Sequence, residues 1–378
     1  MVDLKTQYLN IKSELNFAVQ KVFDDTSFIN GPQVEVFANE LSEYTGAKFV
    51  IPCANGTDAL QISMMAFGFK AGDEIIVPAF TYIATVEVIA LLGLIPVFID
   101  VDESTFNLNT DQLEARITNK TVGIVTVHLY GQCSNMEVIL KIANTRGIKV
   151  IEDAAQAIGA IYKFNDGTKK QAGTMGHIGT TSFFPSKNLG CYGDGGAIFT
   201  NDAFLAKKIK MIANHGQSLK YFHDSIGVNS RLDTLQAAIL SVKLKYLDNY
   251  TKYRNEVAEK YDIAFKNIKN FSIPNRNLYS THVFHQYTII LNENMNRESF
   301  KDFLGNCGIP TMVYYPLPLH LQKAYLNYGA KEGQFPVSEK LSKQVLSLPI
   351  HTELNTKEQE YIIDKIIYYC NSNVIEFK

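Results

Sequence analysis

The segment Thr180–Gly196 has the sequence TTSFFPSKNLGCYGDGG. It predicts a short aromatic strand over 180–184, then Lys187, then a glycine-rich loop. Glycines allow the backbone to approach a bulky ligand where side chains would collide. A lysine at the end of a strand can be partly desolvated, which lowers the pKa of its amine and frees it to form a Schiff base with an aldehyde. We therefore predict that Lys187 holds a cofactor, against the alternative of an ordinary solvated loop lysine.

The composition is that of an enzyme-sized chain that can bury large cores. The chain has 378 residues, 46% of them hydrophobic, and a net charge of -2 from 36 basic and 38 acidic residues. Because no long run of one charge occurs, nucleic acid is not predicted as a partner. The five cysteines are scattered, which predicts reduced thiols in a cytoplasm and no metal site.

No targeting or membrane segment is predicted. The largely polar stretch Asp3-Leu4-Lys5-Thr6-Gln7 near Met1 does not fit a signal peptide. The apolar run from Ile83 to Val101 is interrupted by Glu87, Gly93 and Pro96, which argues against a membrane span.

Apolar periodicity predicts an α/β fold. Two helices are expected before the first strand, one over 7–24 and one from Gly31 onward. Strands are predicted near 48–53, 74–78, 95–101, 121–128, 149–153, 180–184 and 195–200, with helices near 57–68, 82–92, 110–117 and 135–146. This alternation indicates a mostly parallel, seven-stranded sheet covered on both faces, in which ligands bind beyond the carboxyl ends of the strands.

A long helix over 231–268, with a break near Asn249, is predicted to link two domains. We predict a large α/β domain with N-terminal helices over 1–248 and a smaller α+β domain over 249–378. The pattern in the smaller domain predicts strands over 286–291 and 311–315, and helices over 297–307 and 356–371.

Polar residues at the predicted strand ends suggest a ligand. The turn 55–60, with the sequence NGTDAL, leads into a helix whose first amides are free to bind an anion such as phosphate. Plain helix capping explains the same residues equally well. Asp153 ends a buried apolar strand, where a carboxylate needs a cation or hydrogen-bond donors. A protonated pyridine nitrogen is one such partner, and a helix N-cap is the alternative.

Three further side chains fit the same ligand. Tyr82 can stack on a flat heteroaromatic ring, Gln156 can reach a phenolic oxygen on it, and Ser182 offers a hydroxyl. Together with Lys187, Asp153 and the anion site, they are what a phosphorylated pyridine aldehyde requires. The sequence therefore predicts pyridoxal 5'-phosphate as the cofactor.

Five motifs occur in an order that resembles the DegT/DnrJ/EryC1/StrS family of sugar-nucleotide aminotransferases. They are NGTDAL (55–60), IEDAAQ (151–156), SFFPSK (182–187), GDGGA (193–197) and NSRLD (229–233). The resemblance extends over nearly the whole chain. It implies the fold-type I architecture, similar to aspartate aminotransferase, and a homodimer whose two active sites lie at the subunit interface.

The resemblance also implies roles for individual residues. Lys187 would bond the cofactor and move protons, Asp153 would meet the ring nitrogen, Gln156 would meet the ring hydroxyl, and Tyr82 would stack on the ring. The implied phosphate contacts are Gly56, Thr57, Ser182 and the partner subunit's Asn229.

Within the family, residues 191–202 and 227–231 look most like the WbpE-like 3-aminotransferases, which act on a UDP-linked 2-acetamido-3-keto-hexuluronic acid. Where that type has a histidine followed by tyrosine and proline, this chain has Tyr314-Tyr315-Pro316. The following run, 317–322, also resembles 3-aminotransferases of dTDP-3-keto-6-deoxyhexoses and of UDP-3-keto-N-acetylglucosamine. The group at C6 of the sugar therefore stays open.

Four residues are predicted to contact the sugar and the diphosphate of the substrate: Arg231, Tyr314, Tyr315 and His320. Arginine offers paired donors to phosphate or carboxylate oxygens. The alternatives are structural, since Arg231 can cap the long helix or pair with Asp233, and the tyrosines can belong to the core of a strand.

The implied reaction transfers an amino group from L-glutamate to C3 of a nucleotide-linked keto sugar and releases 2-oxoglutarate, with pyridoxamine 5'-phosphate between the two halves. Its product would serve amino-sugar and surface-polysaccharide biosynthesis, such as that of lipopolysaccharide O-antigen. The alternatives are amination at C4, a dTDP-3-keto-6-deoxyhexose substrate, and a catalytically silent binding or scaffold subunit. The related sugar 3-dehydratases have histidine in place of the lysine, so Lys187 speaks against that activity.

Overall fold

The computed structural model describes residues 1–372. Three helices precede the first strand: α1 (Leu4–Asn10), α2 (Lys12–Asp25) and α3 (Pro32–Thr45). The single helix predicted over 7–24 is wrong, because Ile11 leaves the helical conformation (φ -120°, ψ 16°) and separates α1 from α2. The Ile11 side chain is buried there with Leu15 of α2.

The central sheet has seven strands. They are β1 (Phe49–Cys53), β2 (Glu74–Pro78), β3 (Ile95–Ile99), β4 (Thr121–Val127), β5 (Lys149–Asp153), β8 (Ile178–Ser182) and β9 (Gly196–Thr200). Strands β6 (Ile161–Lys163) and β7 (Lys169–Gln171) form a separate short hairpin. The order in the sheet is β1-β9-β8-β5-β4-β2-β3. Only β9 runs antiparallel to its neighbours. The predicted α/β class with a mostly parallel sheet is confirmed.

One strand ends earlier than the sequence predicts. The strand expected over 180–184 is β8, and it ends at Ser182. The next residue, Phe183, is fully buried, and its ring lies 5.4 Å from that of Phe37 in α3. The chain therefore leaves the sheet two residues earlier than its aromatic composition suggests.

Helices cover both faces of the sheet. They are α4 (Gly56–Phe67), α5 (Ala84–Leu91), α6 (Leu113–Arg116), α7 (Met136–Arg146) and α8 (Ala203–Ala213). Neighbouring residues of β4 belong to different cores: Ile124 packs with Ile139 of α7, and Val125 packs with Leu60 of α4. Side chains that alternate along a strand point to opposite faces, so a fully buried strand such as β4 needs apolar residues in succession.

The long helical segment after the sheet is two helices. After a small hairpin of β10 (Gln217–Leu219) and β11 (Phe222–His223), α9 spans Thr234–Leu244 and α10 spans Leu247–Phe265. The break at residues 245–246 comes earlier than the one predicted near Asn249.

The C-terminal part contains a three-stranded antiparallel sheet of β12 (Phe271–Ser272), β13 (Tyr287–Leu291) and β14 (Val345–Leu348). Its helices are α11 (Arg297–Asn306), α12 (Pro336–Gln344) and α13 (Thr356–Ser372). The strand predicted over 311–315 is wrong. Only Met312 pairs, in an isolated bridge with Ser347 of β14.

Helix α10 contributes to two cores. Leu247 at its start packs with Leu240 of α9, whereas Phe265 at its end packs with Phe300 of α11. We keep the division into 1–248 and 249–378 as a proposal, and the last six residues of the second range lie outside the described residues. Within residues 1–372, no helix is both long and apolar enough to cross a membrane.

Candidate active site

The carboxyl ends of β1, β5 and β8 meet at one cavity of about 640 Å³. Among its lining residues are seven of those predicted to bind a cofactor: Gly56, Thr57, Tyr82, Asp153, Gln156, Ser182 and Lys187. Parallel strands end at the same edge of a sheet, which explains why residues so distant in sequence lie together. Asn229 is the one predicted cofactor residue that does not line this cavity.

One end of the cavity is built from the first turn of α4. The Asn55 side chain caps this helix by accepting a hydrogen bond from the Asp58 amide at 2.8 Å. The amides of Gly56 and Thr57 have no acceptor among the described residues and lie at the positive end of the helix dipole. A Cβ atom on Gly56 would lie 2.8 Å from the Cβ of Ser182. Glycine therefore permits this turn to approach the end of β8, where Ser182 adds a hydroxyl.

Asp153 occupies the end of β5 and is 7% exposed. Its carboxylate accepts hydrogen bonds from the Thr85 hydroxyl at 3.0 Å and from the Ala155 amide at 3.1 Å. These two donors hold the carboxylate in the cavity wall. Such a group suits a cationic ring nitrogen, because a buried carboxylate is most stable beside a positive charge.

Glu152, the neighbour of Asp153, faces the opposite side of β5 and is fully buried. It accepts hydrogen bonds from His128 Nε2 at 2.8 Å, from the Gly173 amide at 2.9 Å and from the Met175 amide at 2.6 Å. Since His128 Nδ1 accepts the Ser134 amide, the ring carries its hydrogen on Nε2. This network fixes β5, and with it the position of Asp153.

Lys187 lies in the turn that follows β8. Burial lowers the pKa of its amine to about 8, and the nearby Asp153 acts in the opposite direction. The next residue anchors the turn, because the Asn188 side-chain amide donates to the Val283 carbonyl at 3.0 Å. The lowered pKa increases the share of neutral amine near neutral pH above that of an ordinary lysine, and the neutral amine is the form that acts as a nucleophile or base.

The remaining predicted cofactor contacts lie on one wall. Tyr82 is 55% exposed, and its ring centroid lies 6.1 Å from that of Tyr315. Gln156 accepts the Tyr130 amide at 2.8 Å and donates to the Tyr315 hydroxyl at 3.1 Å. The Gln156 amide is thus held at both ends, and one of its hydrogens stays available to a ligand.

The predicted substrate residues separate into two groups. Tyr314 and Tyr315 line the cavity, and burial raises the pKa of both hydroxyls, so both carry their protons at neutral pH. They are neutral donors in a segment that forms no strand. Arg231 and His320 do not line the cavity of this protomer.

His320 is completely buried. Its Nε2 atom lies 3.1 Å from Glu339, and its ring packs against Phe98 and Phe335. Because aromatic side chains close off this ring, the structure gives no support to the substrate contact predicted for His320.

The segment from Asn229 to Arg231 lies at the surface beside the turn before α4. Asn229 is exposed and forms a bridge with Asn214. Ser230 is buried, and its hydroxyl accepts the Ala54 amide at 3.0 Å. The role predicted for Asn229 lies in a partner subunit, and it stays a prediction.

Among the residues of the site that were not predicted from the sequence are His285 and Gln286, which line the cavity, and Thr85, which donates to Asp153. His285 and Gln286 lie just before β13, and the residues of that strand are mainly apolar. This polar pair at the start of a buried strand is the signal that points to them. Thr85 lies inside a buried helix, and its sequence gives no comparable signal.

Comparison with known proteins identifies the family. The sequence model of the DegT/DnrJ/EryC1/StrS aminotransferase family matches residues 9–367. The chain belongs to this family. Its fold and its enzyme class, an aminotransferase, are therefore confirmed.

Two relatives are similar over nearly their full length. The UDP-2-acetamido-2-deoxy-3-oxo-D-glucuronate aminotransferase of Pseudomonas aeruginosa is 47% identical over 94% of this chain and 96% of its own. The UDP-N-acetyl-3-dehydro-alpha-D-glucosamine 3-aminotransferase of Acidithiobacillus ferrooxidans is 40% identical over 95% of this chain and 94% of its own.

A solved relative addresses the cofactor. The structure of NtdA from Bacillus subtilis, with bound cofactor PMP, is 32% identical, has a TM-score of 0.88, and is matched over 96% of this chain and 82% of that one. The family depends on pyridoxal phosphate, so the predicted cofactor is confirmed. The free amides of α4, the buried Asp153 and the Lys187 amine fit its phosphate, ring nitrogen and aldehyde.

Proposed function

We propose that this enzyme aminates C3 of a UDP-linked 2-acetamido-3-keto sugar, either a hexose or a hexuluronic acid, with L-glutamate as the amino donor. The observation that supports this substrate most is the 47% identity with an aminotransferase of a UDP-linked 3-oxo sugar. The second relative, at 40% identity, acts on another UDP-linked 3-keto sugar. Both names place the keto group at C3.

Different residues of the cavity would have different roles in such a reaction. Pyridoxal phosphate, when bound, supplies an electron sink for bond breaking at the amino carbon. Lys187 would hold the cofactor and then, as a free amine, move a proton at its Nζ atom. Asp153 would keep the ring nitrogen protonated.

The other side chains would bind and orient. Gly56, Thr57 and Ser182 would bind the phosphate through two amides and a hydroxyl. Tyr82 would cover the ring, and Gln156 would donate to the ring hydroxyl. Tyr314 and Tyr315 would donate hydrogen bonds to the sugar, a role that their protonated hydroxyls and their place in the wall support.

The proposed active enzyme is a homodimer in which each cavity receives residues from both subunits. The partner subunit's Asn229 would bind the cofactor phosphate, and the partner subunit's Arg231 would bind the substrate diphosphate. Two facts support this division: neither residue lines the cavity of its own protomer, and both belong to a partly exposed segment.

We propose a cytoplasmic enzyme that supplies amino sugars for surface polysaccharides, such as lipopolysaccharide O-antigen. The state of the cysteines supports this compartment. All five are free thiols, and four of them are buried. Disulfides are rare in a reducing cytoplasm.

The test is a panel of purified UDP- and dTDP-linked 3-keto and 4-keto sugars, incubated with the holoenzyme and L-glutamate. We expect formation of a 3-amino sugar from the UDP-linked 2-acetamido-3-keto substrates, identified by proton NMR. Turnover of a 4-keto substrate without turnover of any 3-keto substrate would overturn the proposed position of amination. A protein that stays colourless with added cofactor would be a silent subunit, not an enzyme.

A further inference from the structure

His285 lies in the wall of the cavity with Lys187, and none of the roles above uses it. It is 7% exposed, and the chain around it is fixed. Val283 accepts the Asn188 side-chain amide at 3.0 Å and donates to the Gly131 carbonyl at 2.9 Å. The Gln286 amide donates to the Tyr130 carbonyl at 3.3 Å. The main chain on both sides of His285 is therefore fixed, and the burial of the ring limits its movement.

A buried arginine binds the main chain next to this histidine. Arg254, on α10, is 5% exposed and donates through Nη1 to the carbonyls of Phe284 at 3.0 Å and Ile350 at 3.2 Å. Among residues 1–372, no carboxylate lies within ion-pair distance of its guanidinium. Burial lowers the pKa of Arg254 to about 10, so the group keeps its charge at neutral pH.

Arg254 Nε and His285 Nδ1 are two of the four buried side-chain nitrogen atoms that have no hydrogen-bond partner in the part of the chain that the structure describes. They are complementary, because the guanidinium Nε can only donate and an imidazole nitrogen can accept. One buried water between them, accepting from Arg254 Nε and donating to His285 Nδ1, would satisfy both.

This bond would fix the tautomer of His285. If Nδ1 accepts from this water, the hydrogen of the neutral ring must lie on Nε2. The Nε2 atom lies 3.5 Å from the side-chain amide nitrogen of Gln286, which also lines the cavity. Since this nitrogen only donates, a hydrogen on Nε2 makes the two atoms a pair of donors, whose shared acceptor a ligand must supply. Burial and the charges of Lys187 and Arg254 hold the pKa of His285 well below its usual range, so the ring stays uncharged. The result is a neutral donor, polarised by a cation behind it.

The amino donor needs such a group. An α-amino acid carries a carboxylate on the same carbon as the amine that it gives up, so this carboxylate must lie close to Lys187. Among the described residues that line the cavity, Lys187 is the one cation, whereas Asp58, Asp153 and Asp194 carry negative charge. Once Lys187 reacts with the cofactor, neutral donors are what this protomer offers to a carboxylate.

We propose that His285, backed by Arg254, binds the α-carboxylate of the amino donor through Nε2–H, with the Gln286 amide as a second donor. This inference rests on the proposed transamination from an amino acid. It assigns His285 to the donor half of the reaction and leaves the sugar to Tyr314 and Tyr315.

Two substitutions test the assignment on the holoenzyme. His285→Phe keeps the ring shape and removes the donor, whereas His285→Gln keeps a donor close to the position of Nε2. We expect His285→Phe to weaken binding of maleate, a non-reacting dicarboxylate, and of L-glutamate by about tenfold or more, because a hydrogen bond to a charged group is lost. We expect His285→Gln to retain most of the binding. Calorimetry with maleate and half-reaction kinetics with L-glutamate give the two affinities.

The affinity for UDP and the KM for the sugar substrate should stay unchanged in both variants. Unchanged maleate binding in a folded His285→Phe variant, or an equal loss of maleate and UDP binding, would overturn the proposal. If His285→Phe does not fold, His285→Asn replaces it, because its shorter amide withdraws the donor from the cavity. Maleate binding needs no sugar substrate, so a wrong sugar assignment would leave this test intact.

Discussion

The charge of Lys187 depends on two opposing neighbours of its amine. Burial lowers its pKa to about 8, and Asp153 raises it. We predict that the cofactor-free protein binds pyridoxal phosphate faster as the pH rises through about 8, because only the neutral amine attacks the aldehyde. In Asp153→Asn, the raising influence is lost, so the midpoint of this increase should move to lower pH. The rate of the absorbance change after cofactor addition measures both midpoints, and a shift to higher pH in the variant would contradict the assignment.

Glu152 is a structural carboxylate with a large expected effect on stability. It is fully buried and accepts from His128 and from amides of the 173–176 turn. We predict that Glu152→Gln lowers the free energy of unfolding by about 3 kcal/mol, because the substituted amide nitrogen would face those amide donors. Urea denaturation followed by circular dichroism measures the loss. The exposed Glu293→Gln serves as control and should change stability by less than about 0.5 kcal/mol.

Local sequence was sufficient for some residues and not for others. The placement of Lys187 and Asp153 at one cavity was predictable, because each follows a short strand with its own pattern, and parallel strands end together. The burial of His320 was not predictable, because it depends on Phe98 and Phe335, which contact it from other parts of the chain. The donor role proposed for His285 depends in the same way on Arg254, which precedes it by 31 positions in the sequence.

Two glycines in regular elements make a matched pair for a test of packing. A Cβ atom on Gly179, in β8, would lie 1.9 Å from the Gly173 carbonyl oxygen, whereas one on Gly305, in α11, would meet nothing within 4 Å. We predict that Gly179→Ala destabilises the protein by about 3 kcal/mol or more and weakens cofactor binding, because it displaces the turn that Glu152 holds. Gly305→Ala should stabilise by up to about 1 kcal/mol. Thermal unfolding of both variants checks the pair, and equal melting temperatures would contradict it.

Element types were easier to predict than element limits. Six of the seven sheet strands were recognisable from an apolar run, because a strand buried on both faces needs consecutive apolar residues. The exception is β8, whose one large apolar side chain is Ile178. The strand predicted over 311–315 fails, since its Thr-Met-Val-Tyr-Tyr pattern finds a pairing partner only at Met312. Whether a segment forms a strand depends on a second segment that can pair with it, and this partner cannot be found from the sequence of the first segment alone.

Four exposed apolar side chains cluster on the surface, on the hairpin of β10 and β11 and in the residues that follow it. Leu219, Tyr221, Phe222 and Ile226 are each at least 67% exposed. Clustered apolar side chains at the surface are typical of an interface. They agree with the proposed homodimer, for which sedimentation analysis should give twice the mass of one chain.

The proposed sharing of active sites between subunits can be tested by mixing inactive variants. In a two-fold dimer of Lys187→Ala with Arg231→Ala, one cavity would combine an intact lysine with an intact arginine from the other chain. We predict that co-expression of these two variants restores part of the aminotransferase activity, measured as formation of 2-oxoglutarate. The control pair is Lys187→Ala with Asp153→Ala. It should stay inactive, because each cavity takes both residues from a single chain and would therefore lack one of them. Restoration in the control and not in the test pair would contradict the proposed division.

The adjacent carboxylates of β5 set a limit on how this sequence can be redesigned. Glu152 and Asp153 point to opposite faces of the strand, one to the 173–176 turn and the other to the cavity. Exchanging them would leave the composition and the net charge unchanged. It would nevertheless give the turn a carboxylate one methylene too short and give the cavity one that is too long. A residue inserted or deleted in β5 would exchange their faces altogether. In grafting this site onto another scaffold, the dipeptide and the turn 173–176 must therefore be moved together.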